Sequence, residues 1–139
     1  MTEEEKNLAE EKRKERKRKI AEWGKMAENI TKDYLTQKGH PVTEQNWRCG
    51  NRLELDLISQ QGDEMVFIEV KARDGYYNHA EDAIDEKKIK QIVKAANAYL
   101  QTREKYYTAR FDVALVEGSP SEYEFTYIEN AFVPPLNAR

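Results

Sequence analysis

Two runs, Leu53-Glu54-Leu55-Asp56-Leu57 and Ile68-Glu69-Val70-Lys71-Ala72, alternate apolar and charged side chains without a break. Alternate side chains of a strand face opposite sides of its sheet. The first run is therefore expected to turn its leucines to one face and Glu54 and Asp56 to the other. The second is expected to put Glu69 and Lys71 opposite its apolar residues. Gln60-Gln61-Gly62-Asp63-Glu64 lies between them and reads as a hairpin turn. The two strands then become antiparallel neighbours, with acid, acid and lysine on one side. A plain hairpin with one solvated, charged face shows the same alternation, and an isolated Glu-x-Lys is a weak signal.

Working outward, residues 42–48 form another strand-like run, and residues 109–116 and 122–128 add two more, divided by Gly118-Ser119-Pro120. Ahead of them, Ile20, Trp23, Ala27, Ile30 and Tyr34 recur three and four apart, the spacing of one helical face. Gly39 is placed to end that helix in a left-handed turn. A second helix is expected behind Asp85, whose carboxylate can cap exposed N–H groups, with Ile89, Ile92, Val93, Ala96, Tyr99 and Leu100 on its buried face. The order is helix, three strands, helix, two strands. It suits an α/β fold, a mixed central sheet flanked by helices.

At 139 residues the chain is the size of one domain, taken here as residues 20–139. Residues 1–19 stand apart as a charged extension, helical or disordered, with eight Lys/Arg and six Glu. It is a solvated extension or an arm that contacts nucleic acid. The whole chain carries −3, so the remainder carries −5 against +2 for the extension. An acidic body argues against indiscriminate duplex binding. Cys49 is the lone cysteine, which excludes an intrachain disulfide and a cysteine-based zinc site. There is no membrane-spanning apolar run and no apolar stretch of a secretory signal near the start, so a cytoplasmic location is expected.

Two adjacent carboxylates repel, and burial makes ionising both costly. A divalent cation relieves that cost, and oxygen ligands favour Mg²⁺ or Mn²⁺. Such an ion can polarise a phosphoryl oxygen and lower the pKa of a bound water. Lys71 beside it could orient the water or stabilise developing charge.

From Trp23 to Phe132 the chain resembles the YraN family of small bacterial proteins, a branch of the PD-(D/E)XK, restriction-endonuclease-like nuclease superfamily. The resemblance rests on Gly24-x-x-Ala27-Glu28 with Tyr34-Leu35, on Asn46-Trp47-Arg48, and on Glu54-Leu55-Asp56-Leu57-Ile58. It continues through residues 66–73, Ala83-Ile84 with Lys88, Ala95-Ala96 with Tyr99-Leu100, and Arg110-Phe111-Asp112-Val113. It implies a restriction-endonuclease-like core with Asp56 and Glu69 as metal-binding acids, Lys71 as the motif lysine, and Glu28 as a helical acid approaching the same site. Lys88 matches a recurrent position and, with Arg73, is a candidate phosphate contact; an ion pair is the alternative for Lys88. Glycines usual in the family just before the first acidic strand are replaced here by Asn51-Arg52-Leu53.

The expectation is a metal-dependent endonuclease acting on DNA in a branched, damaged or single-stranded form. The competing reading is a nuclease fold that binds nucleic acid or a protein without cleaving. Self-association through the extension is a third. Trp23 and Trp47 are expected in the core, and Tyr123, Phe125 and Tyr127 along one strand face. Tyr76, Tyr77 and His79 either stack on bases or tuck down their loop.

Overall fold

The computed structural model describes residues 1–75 and 84–134. Its elements run α1 (Glu3–Gln37), β1 (Glu44–Cys49), β2 (Leu53–Gln61), β3 (Glu64–Asp74), α2 (Glu86–Gln101), β4 (Thr108–Ser119) and β5 (Glu122–Ile128). The strands form one sheet in the order β1-β2-β3-β4-β5. Neighbours are antiparallel except β3 and β4, which run parallel through the α2 crossover. This is the mixed α/β sheet that the sequence led us to expect, consistent with a restriction-endonuclease-like fold.

Local chemistry accounts for the boundaries. Gly62 (φ 65°) opens a two-residue turn between the Gln61 and Glu64 partners, the first-position glycine that such hairpins require. Gly39 (φ 82°) ends α1, with its N–H on Thr36 O at 3.0 Å and that of His40 on Leu35 O at 2.8 Å. Asp85 caps α2 by accepting from Lys88 N at 2.8 Å.

The sheet separates two apolar layers. Against α2 lie Leu55, Ile58, Met65, Phe67 and Phe111, with Ile92, Val93, Ala96 and Tyr99 of the helix. Against α1 lie Leu57, Val66, Ile68 and Ala114 with Leu35, and Val116 with Trp23 and Ala27. Covered on both sides, β4 is buried without interruption from Phe111 to Gly118. Trp23 is in the core as expected, and Trp47 packs half-buried, edge-on to Tyr99. Phe125 and Tyr127 lie against Tyr34 of α1, while Tyr123 on the same face stays 40% exposed. Tyr76, Tyr77 and His79 lie outside the described residues.

One buried network joins β4 to its successor. Asp112 is fully buried, and its carboxylate accepts from Arg110 Nε and Nη2 (3.0 and 2.9 Å), Tyr127 Oη (2.5 Å) and Asn130 N (2.9 Å). The Arg110-Phe111-Asp112 motif is structural on this evidence. Its charge is paired and its lone pairs are filled.

The helix differs from expectation in one respect. Its buried row is Trp23, Ala27, Thr31 and Leu35, whereas Ile20 is 63% exposed. The reason is length. α1 begins at Glu3 and reaches past the end of the sheet, leaving every residue from 1 to 22 exposed. That overhang is sustained locally. Thr2 caps it by accepting from Glu5 N at 3.1 Å, Glu3, Glu4 and Glu5 sit at its positive end, and Glu10–Arg13 and Glu15–Arg18 pairs brace it. Among the described residues no helix is long and apolar enough to cross a membrane.

Two outcomes follow. Asp112→Ala should lower stability by about 2–5 kcal/mol in denaturant melts, because it leaves Tyr127 Oη and the Asn130 N–H without their buried acceptor at about 1–3 kcal/mol each, while Arg110 keeps Glu64 at 3.1 Å. Removing residues 1–19 should reduce the far-ultraviolet helical signal yet leave the melting temperature within about 3 °C, since the segment buries almost nothing. A larger drop would show that the overhang is part of the folding unit.

Candidate functional site

The sheet forks at the two acids. Pairing of β2 with β3 runs from Gln61↔Glu64 to Leu57↔Ile68 and ends there. Beyond that point β2 stays with β1 as far as Cys49↔Leu53, and β3 stays with β4 as far as Asp74↔Gly118. Asp56 and Glu69 are the first residues past the last shared pair.

The leucine alternation expected from sequence breaks at the same place. Leu53 and Leu55 pack on the α2 side, but Leu57 packs on the α1 side with Ile68. Across from this shift, between the Gln45↔Leu57 and Trp47↔Leu55 pairs, Asn46 adopts a left-handed φ of 53°. Asparagine tolerates that conformation better than most residues. β1 and β2 flip together, so their register survives.

The flip sends the Asp56 side chain across the fork. Its Oδ2 accepts from Val70 N at 2.9 Å, taking a backbone donor that β2 no longer pairs. The expected common face therefore holds for Glu69 and Lys71, whereas Asp56 reaches them through the opened sheet.

Glu69 is 7% exposed and Asp56 half-buried. Burial, then the Asp56 charge, pushes the Glu69 carboxyl up to about 8, with Lys88 and Lys71 acting against that rise. Asp56 is also raised, first by burial, while the Val70 N–H and Lys88 hold it back. Without a cation, Glu69 therefore holds its proton well above the usual carboxylate range.

Other groups frame this pair. Lys88 Nζ stands 3.7 Å from Glu69 Oε1, so it meets an acid of the site directly. Lys71 is half-buried on the Glu69 face. Glu28 shares a pocket of about 490 Å³ with Asp56, Glu69, Gln45 and Asn46. Burial raises its carboxyl, and Gln45 Nε2 opposes this by donating to Glu28 Oε2 at 3.2 Å. Gln45 Oε1 in turn accepts from Lys32 Nζ at 3.0 Å. Arg73 is half-buried at the far end of β3, its carbonyl accepting from Trp23 Nε1 at 3.3 Å.

The fold thus gathers Asp56, Glu69 and Glu28 around one pocket, with Lys88 beside Glu69 and Lys71 on the Glu69 face. Arg73 stands away from the acids. Sequence reasoning missed Gln45 and Asn46. An asparagine in the middle of a strand was the available signal, because that residue type accommodates positive φ.

Could this pocket hold a divalent ion? A buried carboxyl whose proton affinity is raised by a neighbouring carboxyl is one whose proton a cation can replace. Among the described residues, no group of three His, Cys, Asp or Glu side chains converges. An Mg²⁺ or Mn²⁺ ion fits such a site, since it commonly takes one or two carboxylates and completes its shell with water and phosphate oxygens.

Comparison with known proteins identifies a family. The profile of the uncharacterised protein family UPF0102 matches residues 27–116. A UPF0102 protein of Phocaeicola vulgatus is 35% identical over 116 residues, covering 83% of this chain and 95% of its own length. One from Bacteroides thetaiotaomicron is 37% identical, with the same coverage. One from Syntrophus aciditrophicus is 38% identical over 111 residues, covering 78% and 87%.

The raised Glu69 carboxyl has a measurable consequence in metal-free protein. The folded state binds a proton that the unfolded state releases near pH 4.5, so this contribution is complete below that pH and fades as pH rises through about 8. Glu69→Gln removes the effect. Its melting temperature should match wild type near pH 4.5 and exceed it increasingly toward pH 8, by about 4 °C for each kcal/mol. A difference that does not vary with pH would disprove the raised Glu69 carboxyl.

Proposed function

The chain belongs to the uncharacterised protein family UPF0102, and we propose that it is a divalent-metal-dependent nuclease hydrolysing phosphodiester bonds in DNA. The observation that carries this reading is the pair of buried carboxyls at the sheet fork, with lysines beside them.

Asp56 and Glu69 would hold Mg²⁺ or Mn²⁺. When bound, the ion supplies a more acidic water and withdraws charge from a phosphoryl oxygen. Asp56 is fixed by the Val70 N–H, so its position does not depend on substrate. Lys71 places an ammonium near Glu69, where it can orient a water or meet charge developing on phosphate. Lys88 offsets the Glu69 charge and is 40% exposed, so its ammonium can also receive phosphate. Glu28, held by Gln45 on the opposite wall, can accept a hydrogen bond from water entering the pocket. The proposed substrate is DNA in a branched, damaged or single-stranded form.

A second reading has an observation of its own. Lys88 already stands within ion-pair distance of Glu69, so the acids have a cationic partner without a metal. A module that binds nucleic acid or protein without cleaving would need nothing more.

Calorimetric titration of Mn²⁺ separates the two. Wild type should bind it, and Glu69→Gln should bind it weakly and lose cleavage of single-stranded, flapped and four-way-junction DNA. Lys71→Ala should keep or improve metal affinity, since it removes a repelling charge, while turnover falls by roughly 10²–10³-fold. Cleavage that survives Glu69→Gln would indicate a contaminating nuclease. Tight DNA binding without cleavage or Mn²⁺ uptake would establish the second reading.

A further inference from the structure

The overhanging part of α1 carries a charge pattern that the site does not explain. Residues 12–25 contain eight Lys/Arg and two Glu, a net +6 in a chain of −3, so all other residues together carry −9. Part of this charge gathers on one face of the helix, while Lys14, Arg18 and Lys25 lie elsewhere around it. At 3.6 residues per turn, Glu4, Glu11, Glu15 and Glu22 fall on one stripe. Lys6, Arg13, Arg16 and Lys17 fall opposite, in line with Trp23, Ala27 and Thr31, by which the helix packs on the sheet. The basic face therefore looks the same way as the packing face, over open space beyond the sheet. Beside it Lys12, Arg16 and Lys19, together with Glu15 and Glu22, line a cleft of about 910 Å³ that Ala72 and Asp74 also line. Arg13 and Arg18 are braced by glutamates, but among the described residues Lys12, Arg16, Lys17 and Lys19 enter no ion pair.

A second observation links this face to the site. Ala21, Gly24 and Lys25 line the pocket of Asp56 and Glu69. Gly24 lies inside a helix, where glycine costs about 1 kcal/mol relative to alanine. Packing does not demand it, because a Cβ added there would meet nothing within 4 Å. Bare backbone at Ala21 and Gly24 leaves a low saddle between the pocket and the basic face.

We infer that the basic face of the overhang binds the phosphodiester backbone of the nucleic acid on one side of the site, with the strand crossing the saddle at Gly24. The occupant is argued from charge: a row of cations in a chain otherwise at −9 complements a polyanion whose charges repeat along its length. The inference rests on the nuclease reading for its choice of partner. Its own basis is the charge gathered on one face and the bare helix at Gly24. The overhang lies ahead of residues 27–116, the part matched by the family profile.

The test is fluorescence anisotropy of the full chain with labelled single-stranded and duplex DNA, metal withheld, over a range of salt. Arg13, Arg16 and Lys17 are changed together to Gln, and a control changes Lys38, Arg103 and Lys105 to Gln. Losing three phosphate contacts should reduce the slope of log K against log salt by about 2 for single strands and about 2.7 for duplex, while the control changes neither slope nor affinity appreciably. Gly24→Leu should keep or raise the melting temperature, yet weaken DNA binding and cleavage, because it closes the saddle. Equal slopes for the two triple variants would overturn the inference, as would binding to phosphatidylserine vesicles in place of DNA. A concentration-dependent dimer abolished by the first triple variant would assign the face to self-association instead. Cleavage that persists with equal slopes sinks the arm and spares the nuclease. Arm-dependent binding without cleavage does the reverse, and failure of wild type to bind any DNA sinks the arm and leaves the nuclease reading to Mn²⁺ titration.

Discussion

The hydrogen bond from Val70 N to the Asp56 carboxylate makes the fork in the sheet tolerable. A strand that leaves its neighbour abandons a row of donors and acceptors, and burying them unpaired costs about 1–3 kcal/mol each. Here β2 retains β1 on its other side and β3 retains β4, so each flank keeps one complete ladder. The exposed inner edge of β3 remains, and Asp56 covers its first free donor. Asp56 is thus a structural acceptor as well as a candidate ligand. Replacing it disturbs backbone and chemistry together. Glu69 has no such backbone duty among the described contacts, and is the cleaner probe of the two.

The fork also explains how two acids are held in a region otherwise packed with leucine, isoleucine and valine. A continuous antiparallel pair would have put Asp56 and Glu69 side by side on one sheet face. Rotating Asn46 and Asp56 together trades that arrangement for an in-plane carboxylate, moving Leu57 to the α1 layer and leaving Leu55 in the α2 layer. Both leucines remain buried, at 0% and 2% exposure. The hydrophobic contribution is preserved on both faces while the polar group is inserted between them. This is how one residue can break the pleat without opening the core.

Much of this was legible before any coordinates. The five strands, the Asp85 cap and the Gly39 stop depend on signals within a few residues, and each lies where it was expected. Ile20 was misplaced because helical spacing says which residues share a face, not where the sheet beneath that face ends. The leucine flip was hidden for a related reason. A period of two describes a strand that keeps both neighbours, and the loss of one is a property of the sheet as a whole. Asn46 hinted at it, but an asparagine in a strand has many uses. The meeting of Asp56 and Glu69 was read correctly for an incomplete reason, since the hairpin made them neighbours but the fork sent Asp56 into the opened sheet. For the extension, ion-pair spacing allowed a helix without deciding it, because pairs worth about 0.2–0.5 kcal/mol do not outweigh a chain's freedom alone.

Electrostatics ties the two ends of α1 together. An acidic body with a buried acid pair repels phosphate, and that repulsion must be met on two length scales if DNA is to approach. At the pocket, a divalent ion and the ammonium groups of Lys71 and Lys88 act at contact distance. Farther out, salt screens exposed charges beyond roughly 8–10 Å. Lys25 lines the pocket and lies within that range. Residues such as Arg13 are twelve positions away along the helix, about 18 Å at 1.5 Å per residue. Their charge cannot reach the acids through solvent. On the proposed reading, the remote cations contribute only by touching phosphates of the same strand, so the covalent backbone of the nucleic acid carries their effect to the site. A rigid helix suits that role better than a loose tail, because it fixes where along the strand those contacts fall.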